Sequence, residues 1–71
     1  MPKLYSSREI QAILNKWGFI IVKQRGSHGK FKNSEGNIVI LPMSKNEIPY
    51  GTFKSILKQA GKTKSDFEND R

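Results

Sequence analysis

The first hydrophobic stripe along the chain has the spacing of an amphipathic helix. Apolar residues recur at positions i, i+3, i+4 and i+7, namely Ile10, Ile13, Leu14 and Trp17. Ser6 and Glu9 match a capping box, in which the serine side chain caps the helix and the glutamate reaches back to the serine amide. Gly18 stands where helices commonly end. The pattern predicts a first helix over residues 7–17.

A second stripe with the same spacing lies in the C-terminal third of the chain. Its members are Phe53, Ile56, Leu57 and Ala60. Thr52 before the stripe is a suitable N-cap, and Gly61 follows it as a helix end. Thr63 and Asp66 are placed to cap a last short turn that packs Phe67, and the polar residues 68–71 are expected to fray. The pattern predicts a second helix that ends at Gly61.

Between the stripes, runs of β-branched and aromatic residues predict three strands over residues 19–25, 28–32 and 38–41. Turn-forming residues separate the strands at 26–27 and 33–37. In the second strand, burial of Phe31 places His28, Lys30 and Lys32 together on the outer face, because alternate residues face opposite sides.

The same alternation in the first strand gives a testable orientation. If Ile20 and Val22 face the helices, then Lys23, Arg25 and Ile21 face outward. Phe19 is then also expected to point away from the core, unlike the other aromatic residues of the chain.

The order α-β-β-β-α, with one apolar side on each element, predicts an α+β fold. We expect a three-stranded antiparallel sheet with two helices packed on one face. A chain of 71 residues is expected to form a single domain over residues 1–71, with its core at about 4–67 and a polar C-terminal tail. So small a core leaves no room for an enclosed cavity, which favours a functional site in a surface cleft.

The charge of the chain predicts a polyanionic partner. Net charge is +7, and residues 1–32 hold seven basic residues against one acid, whereas residues 33–71 hold six against five. An excess concentrated in this way is typical of nucleic-acid binding or of docking to an acidic protein. The chain has no cysteine, no leader-like start and no long apolar run. We therefore expect a cytoplasmic protein with no membrane partner.

Residues 23–32, K-Q-R-G-S-H-G-K-F-K, contain the candidate chemistry. The single histidine, His28, can exchange a proton near neutral pH, and the flanking glycines permit a sharp turn or a close approach of backbone to ligand. Four cations accompany it as candidate phosphate contacts: Lys23, Arg25, Lys30 and Lys32. Ser27 is a further candidate RNA contact and is interpreted as a turn former rather than a nucleophile. A solvated surface histidine and a solvated charge run are the alternatives for these residues.

The acidic residues are scattered along the chain at Glu9, Glu35, Glu47, Asp66, Glu68 and Asp70. This spacing does not group carboxylates as metal sites require, so we expect no metal site and no cofactor.

Two motifs resemble the HicA family of messenger-RNA interferases, which are toxins of toxin–antitoxin pairs. The motifs are G-S-H at 26–28 and G-T-F-K-S-I-L-K-Q-A-G at 51–61, with a strand ending in proline at 39–42 between them. The resemblance covers residues 4–67. It implies a fold like that of double-stranded-RNA-binding domains, endoribonuclease activity on RNA with His28 catalytic, and inhibition by a HicB-type antitoxin. Members often have a second histidine after the strand-ending proline, where this chain has Met43-Ser44.

Three functions remain open at this point. The resemblance favours a metal-independent endoribonuclease, silenced by an antitoxin that is acidic where it meets the cationic face. Composition alone favours a non-catalytic RNA-binding module, because basic charge serves binding as well as cleavage. A protein that only docks an acidic partner is the third, and it predicts little salt-sensitive affinity for RNA.

Overall fold

The computed structural model describes residues 2–71. Three helices and three strands follow one another as α1 (Ser7–Lys16), β1 (Ile20–Arg25), β2 (His28–Lys32), β3 (Ile38–Pro42), α2 (Tyr50–Ala60) and α3 (Lys64–Asp70). The strands form an antiparallel sheet in the order β1-β2-β3, and the helices pack against it. This confirms the predicted α+β fold. We call the sheet face that bears the helices the inner face and the opposite one the outer face.

Local signals explain where α1 begins. The Ser6 hydroxyl accepts a hydrogen bond from the Glu9 amide at 3.0 Å, and the Glu9 carboxylate accepts one from the Ser6 amide at 2.9 Å. The predicted capping box is therefore present. The hydrogen bond from the Ser6 amide lowers the pKa of the Glu9 carboxyl, because it stabilises the ionised form.

The other two helices differ from the sequence prediction at their ends. α2 begins two residues before Thr52, because the carbonyl of Pro49 accepts the first helical hydrogen bond, from the Phe53 amide at 2.9 Å. α3 is a regular helix through Asp70, where the sequence predicted one short turn and a fraying tail. A second capping box, between Thr63 and Asp66, starts it.

The core lies between the inner face and the helices. Its aromatic centre consists of Tyr5, Phe53 and Phe67, whose ring centroids are 4.8 to 5.3 Å apart. Phe31, Val39 and Leu41 contribute from β2 and β3 and are fully buried. Since Phe67 belongs to α3, the last helix contributes a buried side chain to the core.

The orientation predicted for the start of β1 is wrong. Phe19 is buried, with 1% of its surface exposed, whereas Ile20 and Val22 are exposed at 63% and 50%. Phe19 precedes the strand, and its amide donates to the Leu14 carbonyl at 2.9 Å, so it is still tied to the end of α1.

A β-bulge explains why the rest of the strand nevertheless faces as predicted. Ile21 pairs with Phe31 and Lys23 pairs with Lys30, the neighbouring residue of β2, so Val22 is an extra, unpaired residue. The alternation shifts by one position there. Ile21 consequently lies on the inner side, while Lys23 and Arg25 lie on the outer face.

The free edge of β3 is occupied by a side chain from α2. The Gln59 amide oxygen accepts a hydrogen bond from the Ile40 backbone N–H at 3.0 Å. The opposite edge of the sheet, along β1, has no paired strand among the described residues.

Candidate functional site

Antiparallel pairing arranges the outer face of the sheet as three rows of three residues. The rows are Arg25–His28–Pro42, Lys23–Lys30–Ile40 and Ile20–Lys32–Ile38. Directly paired side chains stand about 5 Å apart on the same face, so each row is a set of contacting neighbours. The first row lies at the end of the sheet where β1 turns into β2.

A shallow hollow of about 300 Å³ surrounds the histidine. Its lining is Lys23, Arg25, His28, Gly29, Lys30 and Ile40, and we call it the cationic hollow. Three of the four cations predicted as phosphate contacts thus meet around His28, although they come from two strands. No acidic residue lines the hollow, so Lys23, Arg25 and Lys30 attract an anion placed there without opposition from a carboxylate.

A two-residue turn presents His28 at the head of β2. Gly26, the first turn residue, has φ +57°, a conformation that glycine adopts without steric cost. Gly29 lies within β2 and is buried. A Cβ at Gly29 would come within 3.1 to 3.2 Å of the side chains of Met43, Ile21 and Phe31, so the backbone next to His28 packs closely on the inner side.

Ser27 and His28 are both exposed, and the Ser27 hydroxyl lies 3.4 Å from the histidine Nδ1. This contact is long for an O–H···N hydrogen bond. Ser27 also fixes the turn through its backbone, because its carbonyl accepts from the Met43 amide at 2.6 Å.

A serine on α1 holds the segment that follows β3. The Ser7 hydroxyl donates to the Pro42 carbonyl at 2.6 Å and accepts from the Lys45 amide at 3.0 Å. The Ser7 amide donates to the Lys45 carbonyl at 2.9 Å. Because Met43 in this segment binds the turn, α1 indirectly positions His28. The capping-box pattern predicted Ser6, but the sequence offered no signal for Ser7.

Lys32 is the one predicted cation that lies apart from His28. It is two rows away, and four residues along a strand correspond to about 13 Å. It lines a second outer-face hollow of about 290 Å³, together with Gly18, Ile20, Val22, Asn33 and Ser34. Conversely, Ile40 in the cationic hollow was not predicted, because an apolar strand residue is ordinarily taken for core.

Another hollow, of about 610 Å³, is larger than the cationic hollow and does not contain the histidine. It opens between the start of α1 and the loop after β3, and its charged and amide lining is Arg8, Gln11, Lys45 and Asn46. Met43 also lines it and connects it to the turn at Ser27. With no group that titrates near neutral pH, this hollow suits binding rather than proton transfer.

Within residues 2–71, no three histidine or acidic side chains lie close enough together to hold a metal ion. Over the same residues, no helix has the length and apolarity that a membrane span needs.

A family model places the chain among known proteins. The model for HicA toxins of bacterial toxin–antitoxin systems matches residues 7–62, from the start of α1 to just beyond α2. No curated protein matches the chain. The match includes the turn with His28, all three strands and the Gly51–Gly61 motif, and only α3 lies outside it. This chain belongs to the HicA toxin family.

Proposed function

We propose that this toxin is an endoribonuclease that cleaves messenger RNA without a metal ion, with His28 as the proton-transfer residue. One observation carries the proposal. An exposed imidazole stands in a hollow with Lys23, Arg25 and Lys30, on a face that is open to a long ligand. Family membership supports a toxin, and this arrangement supports the chemistry by which it would act on RNA.

RNA brings its own nucleophile, so the protein needs few groups. His28 takes the proton of a 2′-hydroxyl, and the freed oxygen attacks the adjacent phosphorus. The bond from phosphorus to the 5′-oxygen breaks, which leaves a cyclic phosphate on one fragment. The departing 5′-oxygen takes a proton from water or from a neighbouring ammonium group, and it becomes the 5′-hydroxyl of the other fragment.

The cations hold the phosphate and stabilise the negative charge that grows on it during attack. Arg25 pairs directly with His28 across the strands, and Lys30 lies two residues further along the same face of β2. A guanidinium can bind two phosphate oxygens at once, whereas an ammonium acts as a point charge. Arg25 and Lys30 are therefore the residues we assign to the scissile phosphate, with Lys23 beside them and Ser27 at the turn.

An antitoxin partner follows from the toxin family. We propose a HicB-type protein that covers the outer face and shields His28. The cations of this face favour an acidic contact surface on the antitoxin, because opposite charge speeds docking and selects the partner.

The first prediction concerns the substrate. The purified toxin should cut RNA in excess chelator and leave DNA of the same sequence intact, because DNA lacks the 2′-hydroxyl. End-labelled strands of both kinds, incubated with and without chelator, provide the measurement. Cut DNA, or loss of RNA cleavage in chelator, would contradict the mechanism. RNA that is bound but stays intact would favour the non-catalytic binding module.

The second prediction concerns phosphate contacts. Binding to a 2′-O-methyl RNA, which lacks the free nucleophile, should weaken steeply as salt rises, because each contacted phosphate releases counterions. Lys30→Ala should reduce the log–log slope by about 0.7, the value for one single-strand contact. Fluorescence anisotropy across a salt series measures both slopes.

Lys58→Ala is the matched control for this measurement. Lys58 is equally a lysine with an exposed side chain, but it lies on α2 and away from the outer face. Its removal should leave the slope as in the parent protein. An unchanged slope for Lys30→Ala would show that Lys30 does not contact phosphate.

A further inference from the structure

The outer face has a second region whose character differs from that of the cationic hollow. Ile20 and Val22 are exposed at 63% and 50%, and Ile38 is half-buried in the same row as Ile20. Ile20 and Val22 line one hollow together with Lys32. We call Ile20, Val22 and Ile38 the apolar end of the outer face.

The binding of RNA does not account for the apolar end. Single-stranded nucleic acid is held by cations on its backbone and by aromatic side chains under its bases. The three rows of the outer face contain cations but no aromatic residue. Exposed aliphatic side chains stabilise a complex chiefly when another apolar surface covers them and removes them from water.

We propose that the apolar end is the anchor site of the antitoxin, a protein segment with an apolar side chain flanked by carboxylates. This inference rests on the proposed inhibition by an antitoxin and adds where the inhibitor gains its affinity. Protein interfaces combine an apolar centre with a polar rim, and a few buried side chains supply most of the binding free energy. The apolar end offers such a centre beside charged neighbours.

Charge complementarity selects the occupant. Lys32 stands between Ile20 and Ile38, and Lys23 and Lys30 occupy the next row, without an acidic residue in any of the three rows. A second copy of this chain would bring its own cations against these lysines, which opposes face-to-face self-association. An acidic segment with an apolar anchor satisfies both parts of the surface.

The distance from the apolar end to His28 is short enough for one bound segment to reach both. About 13 Å separate the row of Lys32 from the row of His28, a distance that roughly four residues of extended chain span. A segment anchored at Ile20 can therefore reach across the outer face and cover His28. The apolar contact supplies affinity at a distance from Arg25 and Lys30, the residues assigned to the scissile phosphate.

The test separates antitoxin binding from RNA cleavage. In the double variant Ile20→Thr/Val22→Thr, the side chains keep their β-branched shape and lose apolar surface. The probe is the cognate HicB-type antitoxin, purified separately and titrated by calorimetry. We expect the affinity to fall by about tenfold or more, the effect of losing an interface anchor, while the free variant cleaves RNA as the parent does.

Ile21→Thr is the matched control. Ile21 neighbours both positions and is 41% exposed, but it lies on the inner side of β1. The affinity of the Ile21→Thr variant for the antitoxin should equal that of the parent. The melting temperatures of all variants show whether each is folded. If the melting temperature of the double variant is well below that of the parent, the single variant Ile20→Thr is used in its place.

Three results would overturn the proposal. One is parent-like antitoxin affinity in a folded Ile20→Thr/Val22→Thr variant. Another is a matching loss of RNA affinity, which would assign the apolar end to RNA. The third is that the parent protein is a dimer and the variant is a monomer, which would assign the apolar end to self-association. Failure of the ribonuclease proposal would appear separately, as absent cleavage by the parent protein.

Discussion

His28→Ala should lower the rate of RNA cleavage by about 10²–10⁴-fold, the usual contribution of a general acid or base. The side chain is exposed, and its one hydrogen-bond contact is the 3.4 Å approach to Ser27, so little packing is lost. We expect a stability loss of about 0.5 kcal/mol or less, as for other surface sites. Because Arg25, Lys23 and Lys30 remain, affinity for RNA should persist.

The measurement for this variant pairs the single-turnover cleavage rate with the melting temperature. His28→Gln serves as a comparison, because it keeps a polar side chain of similar length that cannot transfer the proton. Both variants should be folded, and both should cleave RNA about 10²–10⁴-fold more slowly than the parent. Full activity of His28→Ala would remove the catalytic assignment, and a collapsed melting temperature would indicate a structural role instead.

Phe67→Ala should have the largest effect on stability, about 3–5 kcal/mol, the usual cost of removing a buried phenylalanine. The ring is 1% exposed and lies between Tyr5 at 4.8 Å and Phe53 at 4.9 Å, as measured between centroids. Trp17 closes the cluster at 6.2 Å. The free energy of unfolding of a typical domain is about 5–15 kcal/mol, so the variant should be close to unfolding at physiological temperature.

Thermal unfolding followed by circular dichroism measures this effect, with an expected drop in melting temperature of about 12 °C or more. Asn69→Ala is the control, since Asn69 is an exposed residue of the same helix and should melt like the parent. A small shift for Phe67→Ala would mean that α3 is dispensable. The family match ends at residue 62, so this result also decides whether the toxin needs more than the matched region.

The fold could be predicted from the sequence because each element carries a local signal. The capping box of Ser6 and Glu9 and the apolar spacing after it place α1. Alternation around Phe31 places His28 and Lys30 together on the outer face of β2. These patterns depend only on residues that are close in sequence, so they can be recognised without knowledge of the tertiary structure.

The missed features depend on residues far apart in the chain. A bulge at Val22 becomes visible only through pairing with β2, and simple alternation therefore turned Phe19 and Ile20 to the wrong sides. The bond from Ser7 to the Pro42 carbonyl joins residues 35 positions apart. The place of Ile40 in the cationic hollow likewise follows from the pairing of β3 with β2.

The bulge at Val22 also bears on whether other chains can pair with the free edge of β1. An open sheet edge with consecutive β-branched residues, as in Ile20–Val22, is the kind of strand on which other chains assemble into aggregates. An unpaired residue in mid-strand interrupts the regular row of backbone donors and acceptors that such assembly requires. Lys23 and Arg25 add charge to the same edge, and Gln59 already occupies a donor on the other. Both edges of the sheet therefore have features that oppose the addition of further strands.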